Sequence, residues 1–229
     1  TLLYACRKTG TSSVTVYGIK HKVAFAVLPA EETDRVGRVL CGLFPQFKAV
    51  SNVLETSLLN IGAIFHPAPT VLNAGWIETT KGNFQHYREG ISPSIARVLE
   101  SLDAERIRVA EKLGVTTKSA TSWLKDVYGV EGQDLYTAIQ GNEVYRGIIA
   151  PPSLDTRYLS EDVPMSLVPL TELARLTGVK TPTMDSVIHL ACVLHGKDYR
   201  KGGRTLERMG LAGMSVDQVK QFVQNGGTK

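Results

Sequence analysis

The sequence predicts a mainly α protein: an all-helical domain over residues 31–229, preceded over residues 1–30 by the last strands of a larger α/β sheet. Three observations predict it. Up to about residue 30 the apolar residues form β-branched and aromatic runs; beyond it they recur every three and four residues. Helix starts and stops such as Ser92-Pro93, Gly114, Gly178 and Gly196 then punctuate the chain. Of 229 residues, 43% are hydrophobic and 21% charged, enough apolar side chains to bury a core without disulfide or metal.

Thr1 to Cys6 is a short apolar run, and Val14-Thr15-Val16-Tyr17 is β-branched and aromatic. Lys22 to Leu28 is nearly continuous apolar sequence, as in a strand covered on both faces. Gly10 and Gly18 mark the turns between them. About three strands without partners make a poor core, so they read as the end of a larger sheet. The opening Thr1-Leu2-Leu3-Tyr4 lacks an initiator Met and reads as the interior of a longer chain. Glu31, Glu32 and Asp34 then place negative charge in a first helical turn. Val36, Val39, Leu40, Leu43 and Phe44 form its apolar stripe before Pro45. Ser51 to Phe65 reads as a second, more apolar helix running into His66-Pro67. Ser92-Pro93 starts a helix over 93–113, with Ile95, Val98, Leu99, Leu102 and Ile107 as its stripe and Gly114 as its stop. Further helices are predicted over 119–128, 134–145, 164–177, 183–195 and 215–225, with a frayed tail over 225–229. Such lengths with short loops indicate a helical bundle.

Composition narrows the function classes. No apolar run approaches the roughly 20 residues of a membrane span, and no signal peptide opens the chain. Three cysteines, an odd number, argue against a disulfide framework and for a reducing, cytoplasmic setting. The net charge of +4 is spread among acids, so nucleic acid is a poor expectation and an anionic small substrate fits as well. No histidine or cysteine spacing resembles a metal site, and no GxGxxG or phosphate-binding loop is present.

Of the five histidines, His66 stands out. Pro67 disfavours helical geometry at His66, so the imidazole belongs at the end or kink of a largely apolar helix. A general acid/base suits that position, and so does a polar helix end stabilised by the helix dipole. His21, His86 and His195 read as surface or structural. A second constellation is Arg157-Tyr158-Leu159-Ser160-Glu161-Asp162-Val163-Pro164. Arg157 and Asp162 would face apart on one regular helix, but an irregular segment before Pro164 would let both enter a cleft. Arginine suits bidentate capture of a carboxylate, and an aspartate behind an imidazole orients it. A solvated charge cluster capping the helix near Pro164 is the alternative.

These segments resemble the octopine/nopaline dehydrogenase family, the opine dehydrogenases, over nearly the whole chain and in the family's order. The resemblance is carried by Leu3-Tyr4-Ala5-Cys6-Arg7, Asn52-Val53-Leu54-Glu55-Thr56-Ser57-Leu58 and His66-Pro67-Ala68-Pro69-Thr70-Val71-Leu72-Asn73-Ala74-Gly75. It continues in Tyr87-Arg88-Glu89-Gly90-Ile91-Ser92-Pro93-Ser94, Asp103-Ala104-Glu105-Arg106, Arg157 to Pro164 and Leu167-Val168-Pro169-Leu170.

The resemblance implies a helical substrate domain behind the last strands of a truncated Rossmann-type domain. It implies an enzyme that reductively condenses a 2-oxo acid, often pyruvate, with the amine of an amino acid, using NAD or NADP. His66 matches the family's catalytic histidine, Asp162 the acid paired with it, and Arg157 the arginine that holds a substrate carboxylate. Asn73 and Cys6 sit in family-like motifs, Asn73 as a substrate contact and Cys6 near the nicotinamide, with a buried inert thiol as the other reading of Cys6. The family's glycine-rich half, which carries most of the cofactor site, is absent from this sequence, so the segment alone is expected to be inactive. Two alternatives remain: a dehydrogenase of plain 2-oxo or 2-hydroxy acids that needs no amine, and a non-catalytic helical module serving homodimerisation.

Overall fold

The computed structural model of the chain describes residues 3–227. It opens with an antiparallel hairpin of β1 (Tyr4–Lys8) and β2 (Val14–Ile19), with a bulge between Ala5 and Cys6. β3 (Val23–Phe25) does not join that hairpin. It pairs in parallel with β4 (Phe47–Ala49), and α1 (Thr33–Leu43) lies between them in sequence. The predicted strands therefore divide between two sheets, and β4 adds to the prediction. Phe47 finds its partners in space, with the rings of Phe25 and Phe44 edge-on at 6.0 and 6.1 Å. Parallel pairing requires a crossover, so α1 belongs to a β–α–β unit and the α/β pattern runs to residue 49, past the change of period at residue 30. The first two residues of the predicted opening strand and the last two of the predicted frayed tail lie outside the described residues.

The predicted helix over 51–65 is two helices, α2 (Val53–Leu58) and α3 (Gly62–Phe65). Asn52 caps α2 by accepting from the backbone of Leu54 and Glu55. The break at residues 59–61 frees the Asn60 amide to donate to Ser166 Oγ at 2.9 Å, a tie across the fold that a continuous helix would forgo. α4 (Pro67–Leu72) and α5 (Ala74–Thr80) have no counterpart in the prediction. Pro67 and Pro69 look like breakers, yet both sit in the first turn of α4, where the missing N–H groups have no helical partner to lose.

α6 (Pro93–Leu113) matches its prediction residue for residue, with Ser92 Oγ accepting from Ile95 N and Gly114 left-handed at φ 66°. α7 (Ala120–Tyr128) follows, then α8 (Leu135–Gly141), started by a reciprocal Asp134–Thr137 capping box. The predicted 134–145 helix stops at Asn142 and continues only as a 3₁₀ turn, Glu143–Tyr145. Next comes a single turn, α9 (Arg157–Ser160). The predicted helix over 164–177 divides into a π turn, Val163–Leu167, and α10 (Val168–Thr177). α11 (Pro182–His195), α12 (Tyr199–Gly202) and α13 (Val216–Asn225) complete the chain.

α6 is the axis of the helical part. It packs against α2, α3, α4, α8, α10 and α11, burying Leu99, Leu102, Val109 and Leu113. Burying each such leucine fully contributes about 2 kcal/mol. Its charged residues brace the surrounding elements. The Arg106 guanidinium is fully buried and donates to Asp103, Thr117 Oγ1 and the carbonyls of Leu58 and Lys118. Asp103 in turn accepts from Ala120 N at 2.7 Å and so anchors the start of α7. Glu105 accepts from Thr183 N and Met184 N at 2.8 and 2.9 Å, capping α11 from another helix. This frame holds α3 and α4 beside the π turn and α9.

Candidate active site

His66 lies where α3 ends and α4 begins, at φ −106° and ψ −58°. Its N–H still bonds Gly62 O, and its carbonyl accepts from Thr70 Oγ1 at 2.7 Å. The ring is therefore held at a kink in an apolar segment, as Pro67 predicts. Gly62 lies beneath it, where an added Cβ would come within 3.5 Å of the imidazole.

Asp162 comes from the other side of the fold, just before the π turn. The wide turn at Val163–Leu167 leaves the Pro164 carbonyl free, and Arg204 N binds it at 2.9 Å. π turns concentrate at functional sites because they re-aim side chains. Here Asp162 Oδ2 stands 2.8 Å from His66 Nδ1, although the two residues are 96 apart in sequence. An ionised carboxylate only accepts, so Nδ1 carries the hydrogen and Nε2 keeps its lone pair in the neutral ring. The His66 side chain is 23% exposed and that of Asp162 13%, so solvent and small molecules reach the pair.

Aromatic rings surround the imidazole. Tyr158, from α9, stacks on it at 4.2 Å and 12°. Tyr87 OH lies 3.1 Å from Nε2. His86 packs against Tyr87 and Tyr158, both at 4.9 Å. It is structural as the sequence suggested, but fully enclosed, and burial pushes its pKa down to about 3. Burial likewise pushes the phenols of Tyr87, Tyr145 and Tyr158 up. Arg7 reaches the same cluster from β1. Its guanidinium donates to Ile149 O at 2.6 Å, and its charge disfavours protonation of His86. Tyr87, Tyr158 and Arg7 stood within the family-like segments, which was the one signal that marked them; no pattern of spacing did.

The structure separates the remaining candidates. Arg157 does not converge with the imidazole and the carboxylate. Thr156 Oγ1 caps α9, so Arg157 and Glu161 share the outer face of one turn, where they pair at 3.3 Å. The Arg157 side chain is 71% exposed, at the rim of the site. Asn73 spends its amide on two backbone carbonyls, Pro69 O and Gly90 O, each at 2.8 Å. That geometry makes its amide nitrogen a brace between α4 and the 84–91 loop. Cys6 lies exposed on β1, so the buried-thiol reading of it fails. His195 is structural, bonding Tyr199 OH and Leu154 O. Among the described residues no group of His, Cys, Asp or Glu has a metal-binding arrangement, and no helix is long and apolar enough to cross a membrane.

The family model described as NAD/NADP octopine/nopaline dehydrogenase, alpha-helical domain, matches residues 49–195, a span holding both His66 and Asp162. The chain belongs to the octopine/nopaline dehydrogenase family. An opine dehydrogenase of Arthrobacter sp. (strain 1C) is 43% identical over 223 residues, which is 97% of this chain and 62% of that protein. The octopine dehydrogenase of Pecten maximus is 28% identical, over 89% of this chain and 57% of the other. The chain thus spans less than two thirds of the length of these relatives. Solved octopine dehydrogenases share the fold: one bound to NADH and agmatine aligns over the whole chain and 64% of its own, with a TM-score of 0.72 at 24% identity. Another, bound to NADH and L-arginine, aligns with a TM-score of 0.71.

The family's nicotinamide cofactor calls for a glycine-rich turn between strand and helix, whose backbone approaches the diphosphate. The two described strand-to-helix connections, β3 to α1 over residues 26–32 and β4 to α2 over residues 50–52, contain no glycine. The described residues do not fit a dinucleotide cradle.

Proposed function

We propose that the protein is an opine dehydrogenase that reductively condenses a 2-oxo acid such as pyruvate with the amine of an amino acid, and that this chain supplies its acid/base machinery. One observation carries the reading: a solvent-reachable imidazole whose Nδ1 is held 2.8 Å from a carboxylate at a π turn. Condensation of a carbonyl with an amine gives a carbinolamine, whose hydroxyl leaves as water only when protonated. Protonated His66 donates that proton, and Asp162 fixes the tautomer and balances the positive charge. Arg157 at the rim captures the 2-oxo acid's carboxylate by exchanging it for Glu161. Arg7 provides a second positive charge on the β1 side. When bound, NAD(P)H supplies the hydride.

In this reading the cofactor is held by a dinucleotide-binding lobe of the same protein. β1 to β4 belong to that lobe and Cys6 lies near the nicotinamide. The helical lobe begins near residue 50, where the family match also begins. Three free cysteines fit a reducing, cytoplasmic site of action. The test is NADH and NADPH oxidation by the whole protein with pyruvate and a panel of amino acids. Oxidation that requires both the 2-oxo acid and the amine is expected. Oxidation indifferent to added amine would assign a plain 2-oxo acid dehydrogenase instead, and none with any pair would remove the enzyme reading.

A further inference from the structure

We propose that Tyr87 is a positioning residue for His66: its phenol holds the Nε2 edge of the ring and reverses the direction of its hydrogen bond when the imidazole changes charge. The inference rests on the acid/base reading of His66. The contact is 3.1 Å long, on the nitrogen opposite the one that faces Asp162. Tyr87 has no room to swing away. Its ring stacks on Tyr145 at 4.1 Å and meets the edges of Phe65 at 6.5 Å and His86 at 4.9 Å. It is 6% exposed, so its hydroxyl is held in place at that edge of the ring.

The chemistry follows from what each group can donate. With Nδ1–H committed to Asp162, the neutral ring presents a lone pair at Nε2, and Tyr87 O–H donates to it. When the ring is protonated, Nε2–H donates to the phenol oxygen. A hydroxyl serves both states without moving a heavy atom, whereas a phenyl ring serves neither and leaves Nε2 without its tyrosine partner. Burial keeps the phenol from ionising, so it remains a donor throughout. Once His66 has passed its Nε2 proton to the departing oxygen, the freed lone pair on Nε2 accepts a hydrogen bond from the Tyr87 hydroxyl. Around the ring, Asp162 is already on Nδ1, Tyr158 stacks over its face with its hydroxyl also reaching that of Tyr87, and His86 lies enclosed against Tyr158.

The test is histidine-selective ¹⁵N NMR of the whole protein and of Tyr87→Phe, which keeps the aromatic stack. In the unmutated protein His66 should appear as the Nδ1–H tautomer, with Nε2 in the hydrogen-bonded range; an Nε2–H tautomer would overturn the proposal even if the variant failed to fold. In Tyr87→Phe the Nε2 resonance should move to that of an unbonded nitrogen, and kcat should fall about tenfold, with KM for the 2-oxo acid little changed. Unaltered His66 resonances in a folded variant would sink the idea. Resonances that move while no 2-oxo acid and amine pair is turned over would support the Tyr87 contact and refute the enzyme reading separately.

Discussion

Two histidines meet the same tyrosine and have opposite fates. His66 and His86 both lie against Tyr158, yet one opens to solvent and the other is enclosed. That difference leaves His66 open to reactants and makes His86 a neutral spacer. His66→Ala should lower kcat of the whole protein roughly 10²–10⁴-fold while leaving the fold intact. Asp162→Asn keeps the shape but lets Nδ1 become the lone-pair nitrogen, so a loss approaching that of the alanine variant is expected; steady-state kinetics check both. His86 makes a different prediction. Its folded pKa of about 3 lies below the ordinary histidine value, so between the two the unfolded chain binds the extra proton. Its contribution to stability is complete above about pH 6.5 and is lost as pH falls toward about 3, by about 5 kcal/mol at the most. Urea unfolding at pH 7 and 4.5 should show the unmutated protein losing more stability than His86→Phe, and equal losses would contradict the assignment.

At the scale of elements, the site is made by interruptions. His66 sits between two short helices and Asp162 ahead of a π turn, because a regular helix could not aim either side chain at the other. The regular elements around them are secured by partners from elsewhere in the chain. Thr181, at the start of α11, makes no capping hydrogen bond with its own side chain; Glu105 of α6 supplies the oxygens. Glu105→Ala would leave two backbone donors unpaired, one of them in the buried Met184. A loss of about 2–3 kcal/mol in urea unfolding is expected, with the midpoint lowered and the slope unchanged. A Cβ at Gly90 would stand 2.3 Å from the His86 carbonyl, so Gly90→Ala should displace the 84–91 loop, and with it Tyr87.

At the scale of the whole molecule, the buried Arg106 decides how the layers meet. One guanidinium joins α6 to the end of α2 and to the segment before α7. Arg106→Met would strand Asp103 in the core without its cation, a cost of about 3–5 kcal/mol measurable by denaturant unfolding. A spectrum of exchange-broadened amides in α7, read against sharp ones in α10, would identify that joint as the part that loosens first.

The sequence by itself determined the helical class, the bounds of α6, α7, α11 and α13, and the singling out of His66 and Asp162. Caps, glycine stops and apolar periodicity are local, and neighbours within four residues settle them. Tertiary structure decided the rest. Pro67 and Pro69 look like breakers until a helix start is built around them, and Phe47 becomes strand only against Phe25. Asn73 turned out to be a brace because two carbonyls converge on it from separate segments. Arg157 faces outward because its own short helix pairs it with Glu161. Tyr87 meets His66 because Asn73, at the end of α4, ties down the loop before α6 at Gly90. Such contacts depend on long-range distances that no window of sequence contains.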